Sequence, residues 1–478
     1  MATLEQKTVR AVAWNLFERF GVQGLSFILG VVLARLLTPA DYGLIGMIYV
    51  FFAVAEIFVD GGLGAAYVQK KEVNAHDSDT VFYSNLCISL AVYLVLWISA
   101  PLIAGFYGQP VLIGLTRVAA LVVIINAFNI IQMAHVMRDV DFKRKTKVTL
   151  FATFLSGVAG IWAAYSGFGV WSLVIQQLGN RILTTLGFWF TSTWRPGLKF
   201  SIDSFNKLFS FGLWILASGL IFTIFNNIYI LVIGKFFPAA QLGFYEKAKR
   251  FRSIASEELS GAVGAVSFPV LSQLQDDKIK LKQAVRKFLT HTLVFVVPLL
   301  VLLIVVAEPF VILLLTEKWA PMIPYMQLLC VAGILYPIHA VNVQVLKAQG
   351  KSDLNFRIEI IKNSFRMINI LVMYRFGVIY IIIGEIITSF LSLIVNTYYS
   401  KSLFSYGMME QLNDIRVIVF SAFISGVAGY TAIYYIENMY IKLFLGSFLT
   451  ISIYIALQYI SNKNLFFQIV KLKDNFVK

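Results

Sequence analysis

Charged side chains are scarce in this sequence. Asp, Glu, Lys and Arg make up 14% of its 478 residues, while 59% of the residues are hydrophobic. A soluble domain carries about 25% charged residues. Apolar runs of roughly 18 or more residues recur along the chain, and each is long enough to cross a bilayer. The predicted fold class is therefore an all-α polytopic membrane protein.

Cysteine and histidine are also rare, with 2 and 4 copies. Cys87 and Cys330 lie inside apolar runs and the histidines lack metal-ligand spacing, which excludes a disulfide framework and a metal cluster. The segment 349–352 (QGKS) resembles the end of a phosphate loop, but Val345 occupies the place of its first glycine. We therefore predict no cofactor and no nucleotide hydrolysis, so that transport would be passive or ion-coupled.

Acidic residues are outnumbered, and the formal net charge is +15. The basic residues fall mostly in short segments between apolar runs, a distribution that encodes orientation and argues against nucleic-acid binding. With a cytoplasmic N-terminus, the inside segments hold about 26 Lys and Arg, against Lys235, Lys318 and Arg375 outside. This asymmetry predicts an even number of spans and two cytoplasmic termini. The inside segments after the N-terminus are 67–80, 137–147, 193–207, 273–287, 347–357, 400–416 and the tail.

The apolar runs predict about fourteen transmembrane helices. They cover approximately residues 13–36, 42–66, 81–104, 113–136, 147–165, 169–191, 208–234, 242–271, 288–307, 322–346, 357–375, 377–399, 415–436 and 440–460. The longest outside loop, near 308–321, has about a dozen residues by this assignment. It leaves no room for an outside catalytic domain, so an enzyme such as a polymerase or a lipid-sugar transferase is disfavoured.

An internal repeat relates the two halves of the chain. At an offset of 200, Trp14 aligns with Trp214 and Gly43 with Gly243. The repeat predicts an N-lobe of spans 1–6 (1–192), a cytoplasmic linker (193–207), a C-lobe of spans 7–12 (208–402) and spans 13–14 with a cytoplasmic tail (403–478). Two parallel six-helix lobes imply a pseudo-two-fold axis along the membrane normal, with the substrate path between them. In the tail, Leu465, Ile469, Leu472 and Phe476 share one helical face, which suits a helix on an anionic leaflet or a solvated tail.

Four short segments carry a family resemblance: 34–43 (ARLLTPADYG), 60–64 (DGGLG), 138–142 (RDVDF) and 194–198 (WRPGL). With six plus six plus two spans, the chain resembles Wzx-type flippases in the polysaccharide-transporter branch of the multidrug/oligosaccharidyl-lipid/polysaccharide (MOP) exporter superfamily. The resemblance implies a bacterial inner-membrane flippase for undecaprenyl-diphosphate-linked oligosaccharides, used for O-antigen, capsule or exopolysaccharide. It further implies membrane lipids, a polysaccharide polymerase and a chain-length regulator as partners.

The chain departs from many such relatives in the seventh span. They carry an acidic residue there, whereas residues 226–229 (NNIY) contain none. If that acid serves ion coupling, this protein would use other groups. Glu56 and Asp60 in the second span are candidates, because residues four apart share a helix face and two such carboxylates can bind a cation or share a proton. The alternative is a structural pair with a neighbouring arginine such as Arg19.

The eighth span is the most unusual segment, since it is charged yet must lie within the membrane. Intramembrane charges line a cavity or pair with one another. Arginine binds a diphosphate bidentately, so Arg250, Arg252 and Lys249 are predicted to bind the substrate head group. Glu246 and Glu257 are further ion-coupling candidates, and helical spacing puts Glu246, Arg250 and Glu257 on one face. Two alternatives would also explain these charges: an internal ladder of salt bridges, or a helix whose start extends into water.

Weaker candidates for the substrate cavity are Arg19 and, in the eleventh span, Arg366. Arg366 forms a polar stripe with Glu359 and Lys362 that faces a groove in one interpretation. The rival function is a cation- or proton-coupled drug exporter of the same superfamily. The basic eighth span favours an anionic substrate over a cationic drug.

Overall fold

The structure is a computed structural model that describes residues 4–70, 73–139, 141–197 and 199–463. The described residues form α-helices with short π and 3₁₀ turns and contain no β-strand, which confirms the all-α prediction. The chain divides into two compact units, Met1–Gly243 (unit 1) and Phe244–Lys478 (unit 2), and the division falls inside one helix. The predicted lobe boundaries stay a prediction, and the amphipathic tail lies outside the described residues.

Unit 1 contains ten complete helices and the start of an eleventh among its described residues. They are α1 Leu4–Leu36, α2 Pro39–Asp60, α3 Leu63–Gln69, α4 Ala75–Tyr107, α5 Leu112–Ala119, α6 Leu121–Arg138, α7 Phe142–Tyr165, α8 Trp171–Thr191, α9 Ile202–Asn226, α10 Ile228–Phe236 and α11 Ala239–Ser253.

Unit 2 continues from α11 through a π-helical turn at Ile254–Glu258. Its further helices are α12 Leu259–Gln273, α13 Lys278–Val305, α14 Ala307–Leu315, α15 Ile323–Gly333, α16 Tyr336–Ala348, α17 Ser352–Met373, α18 Val378–Phe404, α19 Met408–Ile433 and α20 Met439–Ser461, with 3₁₀ turns at Glu317–Met322 and Tyr374–Phe376.

Ten helical segments of the described chain are long and apolar enough to cross a membrane. The helices α9 and α10, bent by 43° at Asn227, add an eleventh span when counted together. The other three predicted spans correspond to α8, to α11 with α12, and to α17, which are helical but more polar. The chain is thus a multi-pass membrane protein, and the count of fourteen stays a prediction.

The turn between α1 and α2 is specified locally by its sequence. Thr38 and Asp41 form a capping box, in which the Thr38 N–H donates to Asp41 Oδ2 at 2.8 Å and the Asp41 N–H donates to Thr38 Oγ1 at 3.3 Å. Pro39 stands in the first helical turn, where its missing N–H costs nothing. The capping box gives hydrogen-bond partners to two backbone N–H groups that have none within the helix, and it therefore fixes the start of α2 here.

The helix boundaries repeat at the offset that relates the two halves of the sequence. α1 ends at Leu36 and α10 at Phe236, while α2 begins at Pro39 and α11 at Ala239. The two helix starts also touch reciprocally within unit 1: a Cβ on Gly43 would collide with the Ala239 carbonyl, and one on Gly243 with the Pro39 carbonyl. The two glycines therefore allow the starts of α2 and α11 to approach closely.

The core of unit 2 is built around α13. Its apolar face packs on α16, α19 and α20, with Leu289 and Leu293 fully buried. The helices approach closely because glycines line the contact: a Cβ on Gly426 would meet Val301, and one on Gly446 would meet Val306 and Ile433. Small residues permit such approach between membrane helices, where apolar burial alone gives little attraction.

Candidate functional site

A buried arginine at the end of α11 is the centre of a charged network in unit 2. Arg252 is 9% exposed and donates one guanidinium N–H to Glu257 Oε1 at 2.6 Å and another to Glu385 Oε1 at 2.7 Å. The Tyr245 hydroxyl donates to Glu385 Oε2 at 3.4 Å, and the Ser253 hydroxyl to Glu257 Oε2 at 3.2 Å. Two carboxylates thus neutralise one arginine, as burial of a charge requires.

The π-helical turn explains how Arg252 and Glu257 meet. Residues five apart lie about 140° around an α-helix, at 3.6 residues per turn, so their side chains diverge. The π turn Ile254–Glu258 aligns residues five apart and is typical of functional sites. Gly333 leaves room for this arrangement, since a Cβ there would stand 3.0 Å from Arg252 Cγ. The expected common face of Glu246, Arg250 and Glu257 is therefore wrong for Glu257, because the π turn rotates it onto Arg252.

The part of α11 before Arg252 carries the other predicted ligands. Arg250 is exposed, and the Lys249 ammonium lies 5.9 Å from the centre of the Tyr245 ring. Glu246 Oε1 is buried without a hydrogen-bond partner. An ionised carboxylate is costly to bury unpaired, so this group suits a proton or a cation.

Polar pairs line α17 as the sequence predicts, but their partners lie on the same helix. Lys362 bonds Glu359 at 2.7 Å, and Arg366 donates to Asn363 Oδ1 at 3.1 Å. Both pairs are three residues apart and thus neighbours on the helix surface.

In unit 1, the predicted acids of α2 have different surroundings. Glu56 accepts a hydrogen bond from Arg181 of α8 at 3.1 Å, and both side chains remain about one third exposed (34% and 38%). The arginine that pairs with Glu56 is thus Arg181, whereas the sequence interpretation named Arg19 as an example; Arg19 itself is exposed on α1. Asp60 is exposed at the end of α2 beside Gly64, where a Cβ would come within 3.0 Å of its Oδ1.

Two acids that form ion pairs in the structure were not predicted as site residues from the sequence. Glu385 looks isolated in its span, and only the fold reveals that it faces Arg252 from α18. Glu18 of α1 is buried and pairs with Lys145 of α7 at 3.1 Å. A lone intramembrane carboxylate is the signal that marks both, since such a group needs a partner or a cavity. Among the described residues, no three His, Cys, Asp or Glu side chains are grouped to hold a metal ion.

Comparison with solved structures defines the class of fold. The chain is similar to the lipid II flippase MurJ in an inward closed conformation, with a TM-score of 0.77 and 15% identity over 96% of this chain and 100% of that one. It is also similar to an inward-facing multidrug resistance MATE family transporter of the MOP superfamily, with a TM-score of 0.64 and 16% identity over 82% and 98% of the two chains. The protein therefore has the fold of MOP-superfamily transporters.

Comparison of sequences is more specific. Residues 32–324 match the family described as polysaccharide biosynthesis protein, and the chain belongs to that family. Over about three quarters of each chain it resembles three curated proteins, which confirms the interpretation of the sequence motifs. They are the lipopolysaccharide biosynthesis protein WzxC of Escherichia coli strain K12 (26% identical; 75% of this chain, 74% of that one), the succinoglycan biosynthesis transport protein ExoT of Rhizobium meliloti (27%; 74% and 72%) and the teichuronic acid biosynthesis protein TuaB of Bacillus subtilis (25%; 74% and 74%).

Proposed function

We propose that this protein is a flippase that moves an undecaprenyl-diphosphate-linked oligosaccharide from the cytoplasmic to the outer leaflet, for the synthesis of a surface polysaccharide. The observation that carries the proposal is the charged segment Lys249–Glu257 within a membrane bundle of the polysaccharide biosynthesis family. The names of the relatives support transport rather than enzymatic chemistry, since one is a transport protein and another a flippase.

The roles of the cations follow from their different surroundings. Arg250 is exposed on α11 and Lys249 is next to it, so we assign contact with the diphosphate to this pair. Arg252 is neutralised by Glu257 and Glu385, and we assign it the positioning of α11. Arg366 and Arg19 remain secondary candidates for the glycan cavity. A fixed arginine holds a diphosphate better than a solvated lysine because its planar fork donates two parallel hydrogen bonds.

We assign ion coupling to Glu246, Glu56 and Asp60. One carboxylate oxygen of Glu246, Oε1, is buried and has no hydrogen-bond partner, which favours uptake of a proton or a cation. Glu56 already has Arg181, so it would take up a cation only after that pair opens. Glu257 is likewise already paired, with Arg252.

The wider arrangement belongs to the same proposal. About fourteen spans would form two six-helix lobes with a pseudo-two-fold axis along the membrane normal, followed by two C-terminal helices. The protein would lie in the bacterial inner membrane with both termini in the cytoplasm. The matching helix boundaries of α1–α2 and α10–α11 support the repeat. A polymerase and a chain-length regulator are the expected protein partners.

A transport assay in proteoliposomes tests the function directly. The purified protein is reconstituted with a fluorescent undecaprenyl-diphosphate sugar, and a membrane-impermeant quencher reports the fraction of lipid in the outer leaflet. We expect faster exchange than in protein-free liposomes, and much slower exchange with the Arg250→Ala variant. Accumulation of a cationic dye with no exchange of the lipid would overturn the proposal in favour of a drug exporter.

A further inference from the structure

A cavity at the α19–α20 end of unit 2 lies outside the site described above. It has a volume of about 340 Å³ and is lined by α13 to α15, α19 and α20. α19 ends at Ile433 and α20 begins at Met439, and both helices are long enough to cross the bilayer. The cavity is therefore at the level of a membrane surface, where lipid head groups lie.

An ion pair forms the polar wall of this cavity. Lys442 Nζ bonds Glu308 Oε2 at 2.9 Å; the Lys442 side chain is 14% exposed, and that of Glu308 is 48% exposed. A purely anionic ligand would draw Lys442 away and leave Glu308 without its partner. A purely cationic ligand would draw Glu308 away and leave Lys442 without its partner. A ligand with one positive and one negative group a few bonds apart leaves neither charge uncompensated.

The remaining walls suit the two other parts of such a ligand. Tyr430 and Tyr434 line the mouth and are 49% and 64% exposed, so their rings can receive an ammonium group beside Glu308. Tyrosines at this level are typical of membrane interfaces. Val305, Pro309, Ile323 and Ile433 make part of the lining apolar, which suits the start of the acyl chains.

We propose that this cavity binds the head group of a zwitterionic phospholipid of the phosphatidylethanolamine type. Lys442 bonds the phosphate, Glu308 and the tyrosine rings hold the ammonium group, and the acyl chains leave past the apolar residues of the lining. The site is separate from the transported lipid, and it would tie α19 and α20 to the leaflet on that side, which the charge distribution predicts to be the outer one.

Native mass spectrometry of the full-length protein tests this assignment. Phosphatidylethanolamine and phosphatidylglycerol with identical acyl chains are added in turn, so that only the head groups differ. We expect the wild type to retain phosphatidylethanolamine preferentially. Lys442→Gln should bind it about tenfold more weakly, because a charge-assisted contact to the phosphate is lost. Glu308→Gln should shift the preference toward phosphatidylglycerol, since Lys442 then lacks a carboxylate.

Lys282→Gln is the matched control, because Lys282 also forms an ion pair in unit 2, with Glu410 at 2.6 Å, away from the cavity. It should leave lipid retention unchanged. Thermal unfolding of each variant separates loss of the site from loss of the fold, and Glu308→Gln decides the matter if Lys442→Gln unfolds. Equal retention of both lipids by the wild type, or an unchanged preference in Glu308→Gln, overturns the proposal.

Discussion

At the scale of single residues, the chemistry of the charged segment depends on which side chains form ion pairs with one another. Arg250 and Arg252 are two positions apart in the sequence and carry the same charge, yet one is exposed and the other is enclosed by two carboxylates. A buried arginine with two acidic partners stabilises the fold mainly by preventing their mutual repulsion. Arg250 is exposed, so a ligand can reach its guanidinium group from outside the helix.

Removal of Arg252 should therefore destabilise the protein. In Arg252→Ala, the half-buried Glu257 and Glu385 are left without their cation, and we expect a loss of about 3 kcal/mol in the free energy of unfolding. Thermal unfolding in detergent measures this loss. Neutralising both acids in the same background (Glu257→Gln, Glu385→Gln) should restore most of it. Arg250→Ala is the control on the same helix and should unfold like the wild type; equal destabilisation by both alanine variants would contradict this assignment.

Removal of Arg250 should instead slow transport. A charge-assisted contact contributes about 1.5–3 kcal/mol, so Arg250→Ala should reduce lipid exchange about tenfold or more at unchanged protein abundance. Arg250→Lys should recover only part of the rate, because an ammonium cannot bind bidentately. Arg375→Ala, which removes another exposed arginine, serves as the control and should transport normally. Normal exchange by Arg250→Ala would remove this residue from the substrate site.

At the scale of helices, close approach and local register decide the architecture of the site. The crossing of α2 and α11 requires two glycines, and the π turn requires one residue more than an α-helix would place there. Each of these two features depends on only one or two residues of the sequence. An added Cβ at the crossing would push the two helices apart. A one-residue change in register would rotate all following side chains of the helix, because each residue advances the helix by about 100°.

Adding a methyl group at the crossing tests the first feature. Gly243→Ala should lower thermal stability and abundance, since its Cβ would collide with the backbone carbonyl of Pro39. Gly24→Ala is the matched control, because no atom lies within 4 Å of a Cβ there. Alanine favours the helix by about 0.5–1 kcal/mol over glycine, so that variant should be neutral or more stable. An equal response of the two variants would show that the crossing does not depend on its glycine.

At the scale of the whole molecule, orientation in the membrane follows from the distribution of cations. The segments predicted to lie inside hold most of the Lys and Arg residues, and they alternate with segments that hold few. This pattern acts during insertion and needs no tertiary contact. It predicts on which side of the membrane each loop lies, without knowledge of the tertiary contacts of that loop.

Cysteine labelling in intact cells checks this orientation. With Cys87 and Cys330 replaced by serine, single cysteines at Gln109 and Ala240 should react with a membrane-impermeant reagent, because those loops are predicted to face outside. Cysteines at Lys143 and Lys280 should react only after the cells are permeabilised. Labelling at Lys280 in intact cells would reverse the proposed topology.

The sequence by itself determined the class of the protein, its helical content and the position of the charged segment in the eighth span. Length and apolarity of a run specify a membrane helix because the bilayer leaves backbone groups no other way to bond. The turn at Thr38–Asp41 and the offset of 200 residues are likewise local or periodic signals. These properties require no knowledge of which helices are neighbours.

Only the tertiary structure decided which charged side chains pair with one another. Glu385 is 133 residues from Arg252 along the chain, and Arg181 is 125 residues from Glu56. Pairing over such separations depends on helix packing, and helical periodicity alone cannot supply it. The π turn adds a local break in periodicity that moves Glu257 away from its expected face and onto Arg252. Helical spacing indicates that charges share a segment, whereas packing and register determine which charge neutralises which.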